Sequence, residues 1–421
     1  MSFWNFNELI QVHIELTNHC NAACPMCVRF YNSSELIRPD LNLSQISLED
    51  FKKWFPQEVL DRVKLWLFCG VHGDPCMAKD FYEICEYIIN NSPGVIAVHT
   101  NGGMRNPEWW AKLGNLFAKG KASNQYRLTF SIDGLEDTNH IYRRNVKWDK
   151  LIANAQAFID AGGRALWDFL IFKHNEHQLD TAKKLSEDMG FTEFVPKKAL
   201  GVDNGTELIY MVALNKEGQL DYYIEAPTNP KNRNLENPTG IQPLKFYPFS
   251  KDDYNKMKEN SEFKNSYYKR TEEIVDIIAS SKYDEHDSCN IKCKSHIDDG
   301  YKRGKEIFVD SAGNVMPCCY IGTHLNGIYS DPPSMQLVRN LNNYGPEKLN
   351  LNNHSLEEIL SAEHLDRLYA DTWDKTTKEG KLVYCSKTCG TFSSIDKIFT
   401  HEIVLKNRKK RYLESQKPNE S

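Results

Sequence analysis

The sequence predicts an α/β fold: a partial, open (β/α)6 barrel followed by a small α+β domain that carries cysteines. Two patterns lead to that class. Up to about residue 200, six short apolar runs alternate with longer amphipathic stretches, the signature of βαβ units around a parallel sheet. Six units are too few for a closed TIM barrel of about eight, so the predicted barrel is TIM-like but open. The 12 cysteines fall in two groups, at 20–85 and at 289–389, with none between 86 and 288, which points to two separate metal-binding regions.

The strand-like runs are VHIEL (12–16), KLWLF (64–68), VIAVH (95–99), RLTFSI (127–132), LWDFLIF (166–172) and EFVP (193–196). Helices are predicted between them. One starts at Ser47, where Asp50 three residues on makes a capping-box pattern. Another follows Asn106, with Pro107 suited to the first turn. Others cover 77–91, 147–161 and 177–189, the last stopped by Gly190. The barrel is thus assigned to 1–200. A connecting insertion follows at 201–285, then the cysteine-bearing domain at 286–400, and a charged tail at 401–421. Within 286–400, EIFVD and VMPCC flank a turn at Ala312-Gly313-Asn314 and read as a hairpin.

A formal net charge of −5 gives no bulk attraction to nucleic acid or to an anionic membrane. No apolar run reaches the roughly 18–20 residues that span a bilayer, and the N-terminus lacks a signal-peptide pattern. The expected location is the reducing cytoplasm, where clustered cysteines read as metal ligands rather than disulfides.

The segment HCNAACPMC places Cys20, Cys24 and Cys27 in the spacing C-x3-C-x2-C, directly after the first strand. Ligand sites of β/α folds lie at the C-terminal strand ends. Three close thiolates can hold three corners of a cubane iron–sulfur cluster and leave one iron open. The competing reading is zinc, which in structural sites prefers four ligands; His19 would then be the fourth, although it directly abuts Cys20. In the second group, Cys293, Cys318, Cys385 and Cys389 form one tetrad, with Cys289 or Cys319 as possible substitutes for a neighbouring ligand. A zinc ribbon is the alternative use of those four. Cys85 reads as a core residue, and Cys69 and Cys76 as packing residues around the GDP turn at 73–75.

In these motifs and their order the chain resembles the radical S-adenosylmethionine (SAM) superfamily, whose signature is C-x3-C-x2-C after the first strand of a partial barrel. The resemblance implies a [4Fe-4S] cluster on Cys20, Cys24 and Cys27 whose open iron is chelated by SAM. Met26 stands where the family often has an aromatic residue, and packs against the adenine. Gly73 and Asp74 match the end of the family's GGEP element, the Asp74 carboxylate accepting from the SAM ammonium. Asn101, at the third strand end, reaches the ribose or the methionine carboxylate. Ser131 and Asp133 serve the ribose hydroxyls, Arg143 (or Arg144) the SAM carboxylate, and Asn175 the nucleoside. Lys173 and His174 face substrate or solvent.

Gly313-x4-Cys318 resembles the twitch or SPASM domains that follow many such barrels. A second, auxiliary [4Fe-4S] cluster on the tetrad is therefore implied, in a single-cluster twitch arrangement. The implied activity is that of a radical SAM oxidoreductase or modifying enzyme. Reductive cleavage of SAM gives methionine and a 5′-deoxyadenosyl radical, which abstracts hydrogen from substrate. The auxiliary cluster assists oxidation or substrate binding. A peptide or protein substrate is preferred, although the barrel begins near residue 10 and leaves no room for an N-terminal peptide-recognition domain. The alternatives are a dehydrogenase or epimerase of a small polar metabolite such as a sugar or nucleoside, or a non-catalytic zinc or electron-transfer protein. The enzyme reading also implies an electron donor such as flavodoxin or ferredoxin.

Overall fold

The computed structural model describes residues 3–120, 123, 125–202, 207–235, 241–243, 250–259, 277–279, 281–298, 303–325 and 332–391. The first six strands are β1 (Leu9–Ile14), β2 (Leu65–Phe68), β3 (Val95–Thr100), β4 (Arg127–Ser131), β5 (Ala165–Ile171) and β6 (Glu193–Lys198). Helices separate them: Leu48–Trp54 and Gln57–Arg62 before β2, then Phe81–Asn91, Pro107–Lys119, Trp148–Asp160 and Leu179–Met189. This is the β/α alternation of a partial, TIM-like barrel. The helix expected over 77–91 begins only at Phe81, because Pro75–Met77 forms a separate 3-10 turn capped by the Asp74 carboxylate. Gly190 ends the last helix with φ 88°, the left-handed conformation that glycine adopts without strain.

Two compact units divide the chain, and they do not follow its sequential order. One comprises residues 15–48 and 67–258; the other comprises 1–14, 49–66 and 259–421. In the first, β3, β4, β5 and β6 run parallel, with Val98 opposite Leu128, Phe130 opposite Trp167 and Leu170 opposite Lys197. β3 and β5 are buried along almost their whole lengths, as strands covered on both faces are. Two of the helices, Pro107–Lys119 and Trp148–Asp160, pack closely because Gly114 lies against the Phe158 carbonyl, where a side chain would collide. Strand ends are thereby set on a rigid base.

Residues 201–285, assigned above to a connecting insertion, contain more order than that. β7 (Leu208–Leu214) pairs antiparallel with β8 (Leu220–Ile224) and parallel with β9 (Ile241–Pro243). The apolar run LIYMVAL is the signal for β7 that the composition of the surrounding polar stretch obscures. Arg144 clamps this small sheet. Its guanidinium donates to Tyr222 Oη at 2.7 Å, the Leu214 carbonyl at 2.7 Å and Asp221 Oδ2 at 2.8 Å.

In the other unit β1 pairs in parallel with β11 (Arg303–Val309), and β10 (His296–Asp298) and β12 (Val315–Met316) pair antiparallel with β11. That long-range pairing is why the N-terminal strand clusters with residues 259–421. The β11–β12 hairpin is the one expected from sequence, with Gly313 at φ 86° in its turn. Phe51, Phe55 and Trp66 form an aromatic knot with ring centroids 4.9–5.5 Å apart. The helix Leu356–Ser361 opens on a full capping box between Ser355 and Glu358. The charged tail at 401–421 lies outside the described residues.

Candidate active site

The cysteine loop follows β1 and is shaped by polar side chains of its own unit. Asn18 Nδ2 donates to the Asn42 carbonyl at 2.7 Å, and its Oδ1 accepts from Ser44 N at 2.8 Å. The Arg29 guanidinium donates to the Asn18 carbonyl. Cys27 N donates to the Cys24 carbonyl at 2.9 Å, a tight turn that brings the last two thiols to one side. Cys24 and Cys27 both raise the proton affinity of Cys20, and Cys24 raises that of Cys27. Burial pushes the Cys27 thiol up to about 12, with Cys24 adding to it. Burial, then Asp74, Cys24 and Cys27, push Cys20 up, and burial does the same for Cys24. A dry cradle of mutually repelling thiolates is costly without a cation, and a bound metal relieves that by displacing the protons. His19, the alternative fourth ligand, shares its Nδ1 with Thr17 Oγ1 at 2.9 Å.

Two donors point at sulfur. Asn101 Nδ2 lies 3.6 Å from Cys20 Sγ, and Arg143 lies 3.7 Å from Cys24 Sγ. Arg143 also donates through Nε to Asp133 Oδ2 at 2.6 Å. Burial works against its charge, but Asp133 and Cys24 outweigh it and the guanidinium is held more firmly protonated. Burial also pushes the Asp133 carboxyl up against the pull of Arg143 and the Leu170 N–H. A guanidinium that does not release its proton keeps this pair ionised. The adjacent arginines therefore divide: Arg143 serves the cysteine loop, and Arg144 the β7–β8 hairpin.

Several residues expected to touch SAM bracket the loops around the cysteines. Asp74 accepts from Thr100 Oγ1 at 2.8 Å, Asn101 N at 2.7 Å and Cys76 N at 3.0 Å, so its carboxylate is already engaged by its own chain. Burial pushes its carboxyl up, offset by these same donors. Asp133 is fully buried and divided between Arg143 and Leu170 N. Asn175 is fully buried as well. Its Oδ1 accepts from Phe172 N at 2.7 Å, and its Nδ2 donates to the carbonyls of Asp133 and Leu170 at 2.8 and 2.9 Å. The physical reason is the same for all three: a polar side chain at a strand end satisfies the unpaired backbone groups of the neighbouring loop. Gly73 backs onto the Thr17 carbonyl so closely that no side chain fits. Ser131 is half-buried, and the Met26 methyl lies against Gly201 after β6. Glu15, which the sequence reading passed over, accepts from His72 N at 2.5 Å and Gly73 N at 3.1 Å while only 1% exposed. A carboxylate at the end of an apolar strand run was the signal for it.

The other unit assembles the second cysteine group. Cys293, Cys318, Cys385 and Cys389 line one small cavity, walled by Trp4, Tyr320, Tyr369, Trp373 and Tyr384. A hydrogen bond with Cys389, then burial, pushes the Cys293 thiol up. Burial pushes Cys385 up to about 12 and, with Cys319 beside it, raises Cys318. Cys289 points elsewhere, its sulfur 3.8 Å from the Ser386 carbonyl, and Cys319 does not line the cavity. Among the described residues no three His, Cys, Asp or Glu side chains already stand in coordination geometry around a common point. What fits a soft metal cluster is the donor set: thiols only, four in one apolar cavity and three in one loop.

The family model described as Radical SAM superfamily matches residues 14–185. The match runs from the end of β1 through the cysteine loop into the helix Leu179–Met189 and covers less than half of the chain. No curated protein matches the sequence. Similar solved structures include SuiB of Streptococcus suis bound to S-adenosylmethionine, at 14% identity over 75% of this chain and 61% of that chain, with a TM-score of 0.43. The chain thus spans less than two thirds of SuiB. Native anSMEcpe with bound AdoMet is 14% identical over 96% of this chain and all of that one, TM-score 0.43. BtrN in complex with AdoMet and 2-DOIA is 11% identical over 93% and 98%, TM-score 0.37. Among the described residues no helix is long and apolar enough to cross a membrane.

Proposed function

We propose that this chain is a radical SAM enzyme that abstracts hydrogen from a peptide or protein substrate, and that it carries an auxiliary [4Fe-4S] cluster besides the one that binds SAM. The observation that carries the reading is the triplet Cys20, Cys24 and Cys27 in one buried loop, with Asn101 and Arg143 directed at its sulfurs. These three thiols would hold the first cluster, and Cys293, Cys318, Cys385 and Cys389 the second. When bound, cluster and SAM supply a carbon-centred radical strong enough to take hydrogen from an unactivated carbon.

The protein's own contribution is placement and exclusion. Donors to the sulfurs stabilise negative charge on the ligands and so tune the centre's potential. The Arg143–Asp133 pair fixes the guanidinium beside the cysteine loop, where it would meet an anionic group of SAM. Asp74, Asp133 and Asn175 hold the loops after β2, β4 and β5 rigid, which keeps reacting atoms in register. A peptide rather than a small metabolite is favoured by a wide cleft in the same unit, about 810 Å³ in volume and open to solvent.

Anaerobic reconstitution with iron and sulfide tests the assignment. The expected product is a brown protein that converts SAM to 5′-deoxyadenosine after reduction. Cys24→Ala abolishes cleavage, whereas Cys293→Ala loses about half of the bound iron and keeps part of the cleavage activity. A colourless, zinc-loaded protein without SAM cleavage sinks the reading. Equal loss of cleavage in two folded variants refutes separate roles for the two cysteine groups.

A further inference from the structure

The short turn Asn139–Asn145 faces two ways. Arg143 turns to the cysteine loop, while His140, Ile141 and Arg144 line the wide cleft on the other side. Across that cleft stand His174 and His177 from the loop after β5, and Asp221 to Tyr223 from β8. Its charged groups are nearly all paired with each other. Lys173 Nζ lies 2.7 Å from Glu225, and Arg144 lies 2.8 Å from Asp221 and 3.9 Å from Glu35. A basic ligand would therefore find each carboxylate there already beside a cation.

The histidines are different. None of the three has a hydrogen-bond or ion-pair partner among the described residues, and His174 Nε2 is buried without one. His174 stacks on Phe172 at a centroid distance of 5.3 Å, which fixes its ring, while His140 and His177 are exposed. They do not form a metal site. Two exposed, unpartnered imidazoles in one open cleft, those of His140 and His177, are donors when protonated and complement hydrogen-bond acceptors that carry negative charge.

We infer that this cleft docks an acidic stretch of the peptide substrate, with the exposed His140 and His177 receiving its carboxylates. The inference depends on the peptide reading above and narrows it: the substrate carries Asp or Glu near the modified residue. Extended peptide can also run beside β8, the outer strand of its sheet, where Leu220 and Tyr223 are 40% and 49% exposed. Binding that protonates an imidazole tightens as pH falls, and Lys173, Arg144, Tyr222 and the paired carboxylates are the other groups that face the rings.

The probe is a fluorescein-labelled tetraglutamate peptide, titrated against the full chain by anisotropy, with tetralysine as the control. Tetraglutamate is expected to bind saturably, and roughly tenfold more tightly at about pH 6 than at about pH 8. A His140→Gln/His177→Gln variant, changed only at exposed positions, should lose roughly tenfold at the lower pH. The inference is overturned by no saturable binding, by equal binding of tetralysine, or by unchanged affinity in the histidine variant. SAM cleavage without peptide reports on the cysteine loop alone. Lost docking with intact cleavage removes this inference and leaves the enzyme reading in place, whereas intact docking without cleavage does the reverse.

Discussion

Replacing Asn175 separates a bracket from a ligand contact. Its amide makes three bonds to buried backbone: it accepts from Phe172 N and donates to the carbonyls of Asp133 and Leu170. In Asn175→Ala the Phe172 N–H loses its acceptor, which costs about 1–3 kcal/mol. The two carbonyls keep a second lone pair and cost less, and the missing amide leaves a small void. Together the loss should be about 3–5 kcal/mol, since Asn175 is fully buried and no water reaches it to compensate. Urea unfolding of the apo protein measures the change in stability, and hydrogen exchange at Phe172 locates it. Asn175→Asp restores the acceptor but places a carboxylate against two carbonyls, so it should be no better. If Asn175→Ala instead costs under about 1 kcal/mol and weakens SAM binding in the reconstituted protein, the bracket is refuted and a direct nucleoside contact is supported.

Gly73→Ala forces a methyl onto the Thr17 carbonyl, and both partners are backbone, so no rotamer relieves it. We expect a loss of at least about 2 kcal/mol in thermal or urea stability, and an unchanged melting curve would contradict the close approach. His174 predicts a pH slope. Burial, with His140 and His177 beside it, lowers its pKa from 6.5 to about 4, so the ring is neutral in the fold where the unfolded chain would protonate. The unfolded state binds the extra proton between those values, so stability is full above about pH 6.5 and falls as pH drops toward 4, by about 2–3 kcal/mol. His174→Phe should flatten that slope in urea titrations at several pH values; an identical slope would show that another group causes it.

Much of the site was legible because the relevant chemistry is local. C-x3-C-x2-C is a spacing, and a spacing survives without knowledge of the fold. Strand ends could be counted from alternating apolar runs, and β1 to β6 lie within a few residues of the predicted positions. The Gly313 turn was readable for the same reason, since a left-handed residue between alternating strands marks a hairpin. Polar residues at the strand ends were harder. Asp74, Asp133 and Asn175 sit where a ligand contact would sit, and nothing in the linear order distinguishes a side chain that meets a cofactor from one that caps a loop. Arg143 and Arg144 are adjacent and chemically identical, yet only one reaches a cysteine.

By itself, then, the sequence determined the class of chemistry: which thiols are grouped, which strand they follow, and that three rather than four are near each other in the first group. Tertiary structure decided what each polar neighbour does. Thr100 engages Asp74 across 26 residues, Asp133 engages Asn175 across 42, and Glu306 of β11 stands beside Gln11 of β1. Such partners are set by hydrogen-bond satisfaction in a buried interior, a condition on atoms far apart in the chain that no local pattern encodes.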